Sequence, residues 1–143
     1  MYQTEAALLD DFASRLSGVD NPWGPVRVAR EFFYRRGCTD LIAVTDGGHV
    51  LAFEGKLSRW RDALHQAYKN TCFADRSYVL LPKEVALLAQ RYMTEFYRRG
   101  IGLCYIADGD IVVLEEARES KPLQPWLAED AIKHASVDGN GPQ

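Results

Sequence analysis

One segment of the chain, from Thr39 to Leu81, limits the possible folds more than any other. It begins with the apolar run TDLIAV, breaks at Asp46-Gly47-Gly48, and continues with HVLAFEGK. Two apolar runs around a short glycine-rich break are typical of a β-hairpin. The following residues, SRWRDALHQAYKN, carry apolar side chains at helical spacing, and SYVLL has the pattern of a short buried strand. The segment therefore predicts two antiparallel strands, then a helix and a further strand.

The predicted hairpin places charged side chains on one face of a sheet. Asp40 opens the first strand, and the second strand ends in Glu54-Gly55-Lys56. Side chains two positions apart on a strand point to the same face, so we expect Glu54 and Lys56 to project together, with Asp40 beside them. Two carboxylates and one ammonium group arranged in this way would suit a divalent metal ion that binds a phosphate.

The pattern Asp40 … Glu54-x-Lys56, followed by an amphipathic helix and an apolar strand, resembles the PD-(D/E)XK nuclease superfamily, which has the restriction-endonuclease-like fold. The strings KLSRWRDALHQAYKN and ADRSYVLLP are similar to those of compact uncharacterised members. The resemblance covers the chain from about Thr4 to Leu114. It implies an α/β (α+β) fold with an αβββαβ core, in which helices flank a mixed central sheet.

Patterns elsewhere in the chain predict the same order of elements. Thr4 and Ser58 are expected to cap the first and second helices, and Gly100 is expected to end the third. The predicted helices cover about 5–16, 59–70 and 83–99, and the predicted strands cover 26–34, 38–45, 49–56, 77–81, 102–107 and 110–115. The order αβββαβ is thus expected on grounds partly independent of the charged motif.

Composition limits the class of protein. At 143 residues and 47% hydrophobic residues, the chain is expected to form one domain over 1–115, with a polar, partly disordered tail over 116–143. In the tail, Trp126 and Leu127 are expected to dock a short helix, and disorder is expected from Asp138 onward. No apolar run is long enough for a membrane span, and the N-terminus lacks a signal-peptide pattern, so we expect no membrane partner and a cytoplasmic location. The three cysteines have no metal-binding spacing and are expected to be reduced and mostly buried.

The resemblance implies a catalytic role for each motif residue. Asp40 and Glu54 would hold Mg²⁺, which Mn²⁺ could replace, and the main-chain carbonyl of Gly55 could be a further ligand. Lys56 would orient or polarise the attacking water and offset the negative charge of the transition state.

Two helical residues are further candidates. Glu5 on the first helix would add a metal-binding carboxylate, as an early helix acid does in some relatives. Gln66 matches the glutamine that lies near the site in relatives, where it could bond the lysine, the water or a phosphate oxygen. Some relatives carry Gln-x-x-x-Tyr on this helix, but the fourth residue after Gln66 is Asn70, so that subclass is not supported.

Basic residues near the motif are candidates for contacts to nucleic-acid phosphates. Such contacts give affinity that depends on salt but not on base sequence. We expect the partner to be DNA, recognised by its structure or through another protein, because the sequence has no helix-turn-helix or zinc-finger pattern. A homodimer would be the simplest arrangement for cutting both strands of a duplex. The candidates for phosphate contact are Arg35, Arg36, Arg59, Arg61 and Lys69.

Each candidate also has a structural interpretation. Asp40 could cap a turn, Glu54 and Lys56 could form an exposed ion pair, Glu5 could complement the helix dipole, and Gln66 could be a solvated helix residue. The basic residues could form an ordinary solvated face. A second acid-x-Lys match at 119–121 has no strand around it and is interpreted as a chance match.

Three functions therefore remain open. The first is a Mg²⁺-dependent DNA nuclease. The second is a protein of the same fold that binds nucleic acid or a protein partner without catalysis. The third is a structural or regulatory subunit that docks through exposed aromatic residues such as Trp23 and Trp126. The sequence favours the first, because all three motif residues are present.

Overall fold

The computed structural model describes residues 2–18 and 20–138. The sheet contains β1 (Val26–Tyr34), β2 (Gly37–Thr45), β3 (Val50–Gly55), β4 (Arg76–Leu80), β5 (Gly102–Ala107) and β6 (Asp110–Glu115). The helices are α1 (Glu5–Leu16), α2 (Trp60–Asn70), α3 (Lys83–Ala89), a 3₁₀ turn (Gln90–Tyr92), α4 (Met93–Arg99) and α5 (Pro125–Asp138).

Within the described residues, the strands form one six-stranded mixed sheet in the order β1-β2-β3-β4-β5-β6. The pairs β3–β4 and β4–β5 are parallel, because α2 and the α3–α4 segment return the chain to the same end of the sheet. The other neighbouring pairs, β1–β2, β2–β3 and β5–β6, are antiparallel. The fold is therefore a mixed α/β fold with helices around a central sheet, and the predicted order αβββαβ is present.

Helices cover both faces of the sheet. The first face packs against α1, whose buried residues Leu8 and Phe12 contact the cluster containing Leu41, Phe53 and Tyr78. Side chains alternate along a strand, so the neighbours of these sheet residues point to the opposite face, where they pack against α2, α3–α4 and α5. Each strand in the middle of the sheet is thus buried on both sides, which explains its nearly continuous apolar sequence.

Two local expectations were wrong. The helix predicted over 83–99 is interrupted by the 3₁₀ turn, where the ring of Tyr92 stacks on Trp60 of α2 with 5.4 Å between centroids. This contact between distant residues, together with non-helical dihedral angles at Tyr92, overrides the local helical pattern. The second helix begins at Trp60, and Ser58 does not cap it; Arg59 occupies the cap position without a side-chain bond. Thr4, by contrast, caps α1 as expected, and Gly100 ends α4 with a φ of 72°.

The segment after β6 contains a longer helix than expected. In α5, Ala131 and Ala135 are fully buried in the cluster that includes Phe32 and Phe73, whereas Trp126 is 63% exposed. Helix α5 therefore docks through its two buried alanines together with the partly buried Leu127 and Ile132, as expected for Leu127 but not for Trp126. The expected disorder concerns Asp138, which is the last residue of α5, and residues 139–143, which lie outside the described residues.

Candidate functional site

The β2–β3 hairpin brings Asp40 and Glu54 together. The strands pair with Leu41 opposite Phe53, so the next position of the register sets Asp40 opposite Glu54. Both side chains lie on the face that carries Ile42 and Ala52, towards α2. Asp40 is partly exposed and its Oδ2 accepts a hydrogen bond of 2.9 Å from the main-chain N–H of Gly55, whereas Glu54 is only 3% exposed. We call Asp40, Glu54 and Gly55 the carboxylate site.

Glu54 is held in a protonated state over most of the physiological range. Burial, the negative charge of Asp40 and a hydrogen bond with the Asp40 carboxyl together raise the pKa of its carboxyl to about 9, with burial the largest cause. The Asn70 amide opposes this rise. Two neighbouring carboxyls that share a proton carry about one negative charge at neutral pH. A divalent cation would replace that proton and relieve the repulsion.

A buried hydrogen-bond network fixes Glu54 from behind. Asn70, at the end of α2, is fully buried and donates from Nδ2 to Glu54 Oε2 at 2.8 Å. The Asn70 Oδ1 accepts bonds from the Tyr34 hydroxyl at 2.7 Å and from Thr39 Oγ1 at 2.8 Å. These two donors fix the orientation of the amide, so that its NH₂ group must face Glu54. The network thus connects β1, β2, β3 and α2 around one carboxyl group.

Sequence reasoning missed this role of Asn70. A signal existed, because Gln66 and Asn70 are four residues apart and so lie on one face of the helix. Position 70 lacks the tyrosine of the Gln-x-x-x-Tyr pattern, so the sequence does not favour a role for that spacing. In the structure, a tyrosine hydroxyl is present in the network, but Tyr34 on β1 supplies it.

Gln66 lies beside the carboxylate site without bonding to it. Its Nε2 donates a long hydrogen bond of 3.4 Å to the main-chain oxygen of Cys38. A Cβ at Gly37 would lie 3.0 Å from this Nε2, so the glycine permits the close approach. In the described part of the chain, Gln66 has no hydrogen bond to Asp40, Glu54 or Lys56.

Lys56 and Glu5 face each other at the edge of the site. The Lys56 Nζ lies 3.9 Å from Glu5 Oε1, and both side chains are partly exposed. Among the described residues, no carboxylate oxygen of Asp40 or Glu54 lies within 4.0 Å of the Lys56 ammonium. The first turn of α1 comes close because Gly55 packs against Leu9, whose Cδ2 would lie 3.0 Å from a Cβ at position 55. The structure therefore pairs Glu5 with Lys56.

A strained residue faces the site from β1. Glu31 has a φ of 55°, and the β1–β2 register skips it between Arg30–Leu41 and Phe32–Thr39, at the position that faces Asp40. A positive φ is unfavourable for residues other than glycine and often occurs near functional sites. Burial, and then the charges of Asp40 and Glu31, raise the pKa of the Cys38 thiol, so this cysteine stays protonated.

The basic residues predicted to bind phosphate differ in their environment. Arg35 and Arg36 are exposed in the β1–β2 turn, and Lys69 is half-buried on α2. Arg59 forms an ion pair of 2.9 Å with Asp62, and Arg61 forms one of 3.0 Å with Glu95. The guanidinium of Arg61 also lies over the ring of Trp60, at 4.2 Å.

The donor atoms at the carboxylate site fit a hard cation. Mg²⁺ commonly binds proteins through one or two carboxylates and keeps several waters, so Asp40, Glu54 and the Gly55 carbonyl form a suitable set. Among residues 2–18 and 20–138, no three His, Cys, Asp or Glu side chains form a metal-binding group. Any metal bound here would therefore depend on two carboxylates, main-chain oxygen, water and substrate.

The chain is similar to a solved structure of unknown function. That protein, from Silicibacter pomeroyi, matches 94% of this chain, and this chain covers 85% of it, with a TM-score of 0.66 and 21% sequence identity. At this identity the likeness supports the fold alone. No protein-family model and no curated protein matches the chain. No helix in the described part of the chain is long and apolar enough to cross a membrane.

Proposed function

We propose that the protein is a divalent-metal-dependent nuclease that hydrolyses phosphodiester bonds, with DNA as the substrate and selectivity for DNA structure or for a guiding partner. The main support is the pairing of Asp40 with Glu54 on adjacent strands, where mutual repulsion and burial raise the pKa of Glu54 to about 9. A carboxyl group whose pKa is strongly raised by burial and by a specific charged neighbour is typical of functional sites.

The chain supplies the groups that this reaction needs. Asp40, Glu54 and the Gly55 carbonyl would hold Mg²⁺ or Mn²⁺, and the bound ion would activate water and neutralise the phosphate. Lys56 would offset negative charge as it develops on the phosphate and orient the attacking water. Glu5 would hold the Lys56 ammonium at the edge of the site, since the two side chains are 3.9 Å apart.

Metal binding should release a proton. Glu54 must lose the proton that its raised pKa retains at neutral pH before both carboxylates can bind a cation. Asn70 would keep Oε2 oriented by its 2.8 Å bond, which leaves Oε1 for the metal. Gln66 would form a hydrogen bond with a phosphate oxygen or a water on the outer side of the site.

The test is a calorimetric titration of the purified protein with Mg²⁺ and Mn²⁺, accompanied by a panel of labelled DNA structures. Glu54→Gln keeps the shape of the side chain and an oxygen for the Asn70 bond, but it removes the charge. We expect metal binding and cleavage in the wild type and neither in this variant. Glu129→Gln, on the exposed surface of α5, is the matched control and should behave as wild type. Absence of metal binding by the wild type would contradict the proposal.

The alternative is a protein of this fold that binds nucleic acid or a protein partner without catalysis. Its support is that the chain itself satisfies the site: Gly55 bonds Asp40, Asn70 bonds Glu54, and Glu5 pairs with Lys56. In that case DNA would bind equally well to the wild type and to Glu54→Gln, with no cleavage at any metal concentration.

A homodimer would place two such sites on one duplex. Sedimentation of the protein with a duplex substrate tests this proposal, and a complex containing two copies of the chain is the expected result. A complex of one copy with nicked product would instead indicate a monomeric nuclease that cuts one strand of a duplex.

A further inference from the structure

A pocket outside the carboxylate site has a strongly positive lining. It lies between the C-terminal ends of α2 and α4 and the segment after β6, and its volume is about 380 Å³. We call it the basic pocket. Among the described residues that line it, none is acidic, and the lining consists of Tyr68, Thr71, Arg98, Arg99, Gly100, Arg118, Ser120, Lys121 and Leu123.

The cations of the basic pocket are not neutralised by the chain. Among the described residues, no carboxylate oxygen lies within 4.0 Å of a charged nitrogen of Arg98, Arg99, Arg118 or Lys121, whereas other arginines, such as Arg59, are ion-paired. This concentration of unpaired charge occurs in a chain with a net charge of −3. Like charges gathered in one cavity repel each other, so the arrangement is favourable when an anion is bound.

The negative C-terminal ends of two helices offset only part of the positive charge in the pocket. Arg99 donates to the main-chain oxygen of Glu95 at 2.9 Å, and Arg118 donates to that of Tyr97 at 2.7 Å. Cations near helix C-termini are favourable, because each terminus carries about half a negative elementary charge. The two termini that meet at the pocket thus amount to about one negative charge, against four cationic side chains.

The positions of the guanidinium groups are fixed in advance. The Arg118 guanidinium bonds Tyr97 and lies over its ring at 5.7 Å from the centroid. Its Nε would lie 3.0 Å from a Cβ at Gly100, so the glycine leaves the space that the side chain occupies. Arg98 and Lys121 extend from the rim and are exposed, and no hydrogen bond of their side chains is present within the described residues. Fixed and mobile cations are thus combined around one cavity.

Two aromatic rings, those of Tyr68 and Tyr97, lie beside the cations of the basic pocket. Tyr68 is 51% exposed and Tyr97 is 69% exposed, so both rings are open to solvent. Interleaved cations and exposed aromatic rings are typical of surfaces that follow a nucleic-acid strand, with phosphates on the cations and bases on the rings. Helix α2 also links the two sites, since it supplies Gln66 and Asn70 to the carboxylate site and Tyr68 to this pocket.

We propose that the basic pocket binds the sugar–phosphate backbone of a nucleic-acid strand at a distance from the carboxylate site. Arg99 and Arg118 form its fixed base, Arg98 and Lys121 neutralise phosphates at the rim, and Tyr68 offers a ring to a base. The choice of nucleic acid as the phosphate-bearing ligand rests on the proposed function. The pocket itself does not require that the carboxylate site be active.

The test is fluorescence anisotropy with a labelled single-stranded DNA oligonucleotide in EDTA, which prevents metal-dependent cleavage. The variant is Arg98→Ala with Lys121→Ala, because both side chains are exposed and their loss leaves the fold intact. The matched control is Arg15→Ala with Lys133→Ala, which removes the same amount of charge from exposed positions outside the pocket. Circular dichroism confirms folding of both.

We expect the pocket variant to bind at least about tenfold more weakly, and its plot of log affinity against log salt to lose about 1.4–1.8 of its slope, corresponding to two phosphate contacts. The control should lose less than half as much. Equal losses in both variants, or an unchanged salt slope, would overturn the proposal. Binding to phosphatidylglycerol vesicles but not to the oligonucleotide would also overturn it. Intact cleavage with unchanged affinity in the pocket variant would refute the proposed role of the pocket and leave the proposed nuclease standing. Binding by the wild type through the pocket without any cleavage would refute the nuclease and leave the pocket standing.

Discussion

The carboxylate site and the basic pocket handle charge in opposite ways. At the first, Glu54 is 3% exposed, is bonded to Asn70 and keeps its proton, so the chain suppresses the charge. At the second, Arg98 and Lys121 are exposed and have no described carboxylate oxygen within 4.0 Å of their charged nitrogens, so the charge is presented to solvent. Suppressed charge suits a site that exchanges a proton for a metal ion, and presented charge suits a site that attracts a polyanion. The two regions should therefore respond differently to mutation, pH and salt.

The largest expected difference is in cleavage. Asp40→Asn should lower the rate of DNA cleavage at least about a hundredfold, because it removes a carboxylate from the metal site while its amide oxygen can still accept the Gly55 N–H. Steady-state kinetics with a labelled DNA substrate would measure it. The pocket variant Arg98→Ala with Lys121→Ala should instead raise KM and leave kcat nearly unchanged, since its contacts act on binding alone. A fall in kcat for the pocket variant would remove the distinction between the two regions.

Stability should also separate the regions. Asn70→Ala should lower the free energy of unfolding by about 2–4 kcal/mol, because Tyr34, Thr39 and Glu54 would each lose a buried partner. Arg98→Ala, on the exposed rim, should change it by less than about 0.5 kcal/mol. Urea unfolding at pH 7 would compare them. A small effect of Asn70→Ala would mean that water replaces the amide and that the network is less closed than described.

The pH dependence of stability gives a third comparison. The pKa of Glu54 is about 9 in the folded protein, against an ordinary value of 4.5, so between these values the folded state holds the additional proton. The stabilisation from this proton is complete below about pH 4.5 and is lost as the pH rises towards 9. The wild type should therefore lose stability relative to Glu54→Gln over this window.

Urea unfolding of both proteins at several pH values would measure this effect, and added Mg²⁺ should reduce the slope of the wild type, since a bound cation replaces the proton. The pocket variant should follow the wild type at every pH. Parallel stability curves for the wild type and Glu54→Gln would contradict the raised pKa.

The smallest expected effect concerns two glycines with similar backbone angles. Gly100 and Gly48 have φ values of 72° and 82°, so alanine at either should cost about 1 kcal/mol of stability. A Cβ at Gly100 would also lie 3.0 Å from Arg118, whereas nothing lies within 4 Å of one at Gly48. Only Gly100→Ala should therefore weaken oligonucleotide binding, as measured by anisotropy. Equal binding by both variants would show that the position of Arg118 does not matter.

The two regions were also unequally predictable from the sequence. The carboxylate pair follows from local signals, because the turn at Asp46-Gly47-Gly48 and the apolar runs around it fix the hairpin and hence the register of Asp40 and Glu54. The basic pocket was not predicted, because Tyr68, Arg98 and Lys121 come from three separate segments that only the tertiary fold brings together.

The wrong or missing predictions near the carboxylate site and in the helices also involve contacts between residues distant in sequence. Asn70 is a polar residue at a helix end, and only the packing of α2 on the sheet makes it the buried partner of Glu54. The interruption of the helix at Tyr92 depends on a ring from α2, and the pairing of Lys56 with Glu5 depends on how α1 packs on Gly55. Periodicity and capping signals carry no information about such partners. The metal, the nucleic-acid contacts, the dimer and the catalytic roles stay predictions.

The Asn70 network has a consequence for how the chain selects one pairing of its strands. Shifting β2 by one residue against β3 would turn every side chain of β2 to the opposite face. Asp40 would then point towards Leu8 and Phe12 of α1, and Asn70 would lose the hydrogen bond from Thr39. Since both faces of β2 are apolar around Leu41 and Ile42, hydrophobic burial alone distinguishes the two alignments weakly. The polar groups that form the site therefore also select one register of the hairpin, because only that register satisfies their hydrogen bonds.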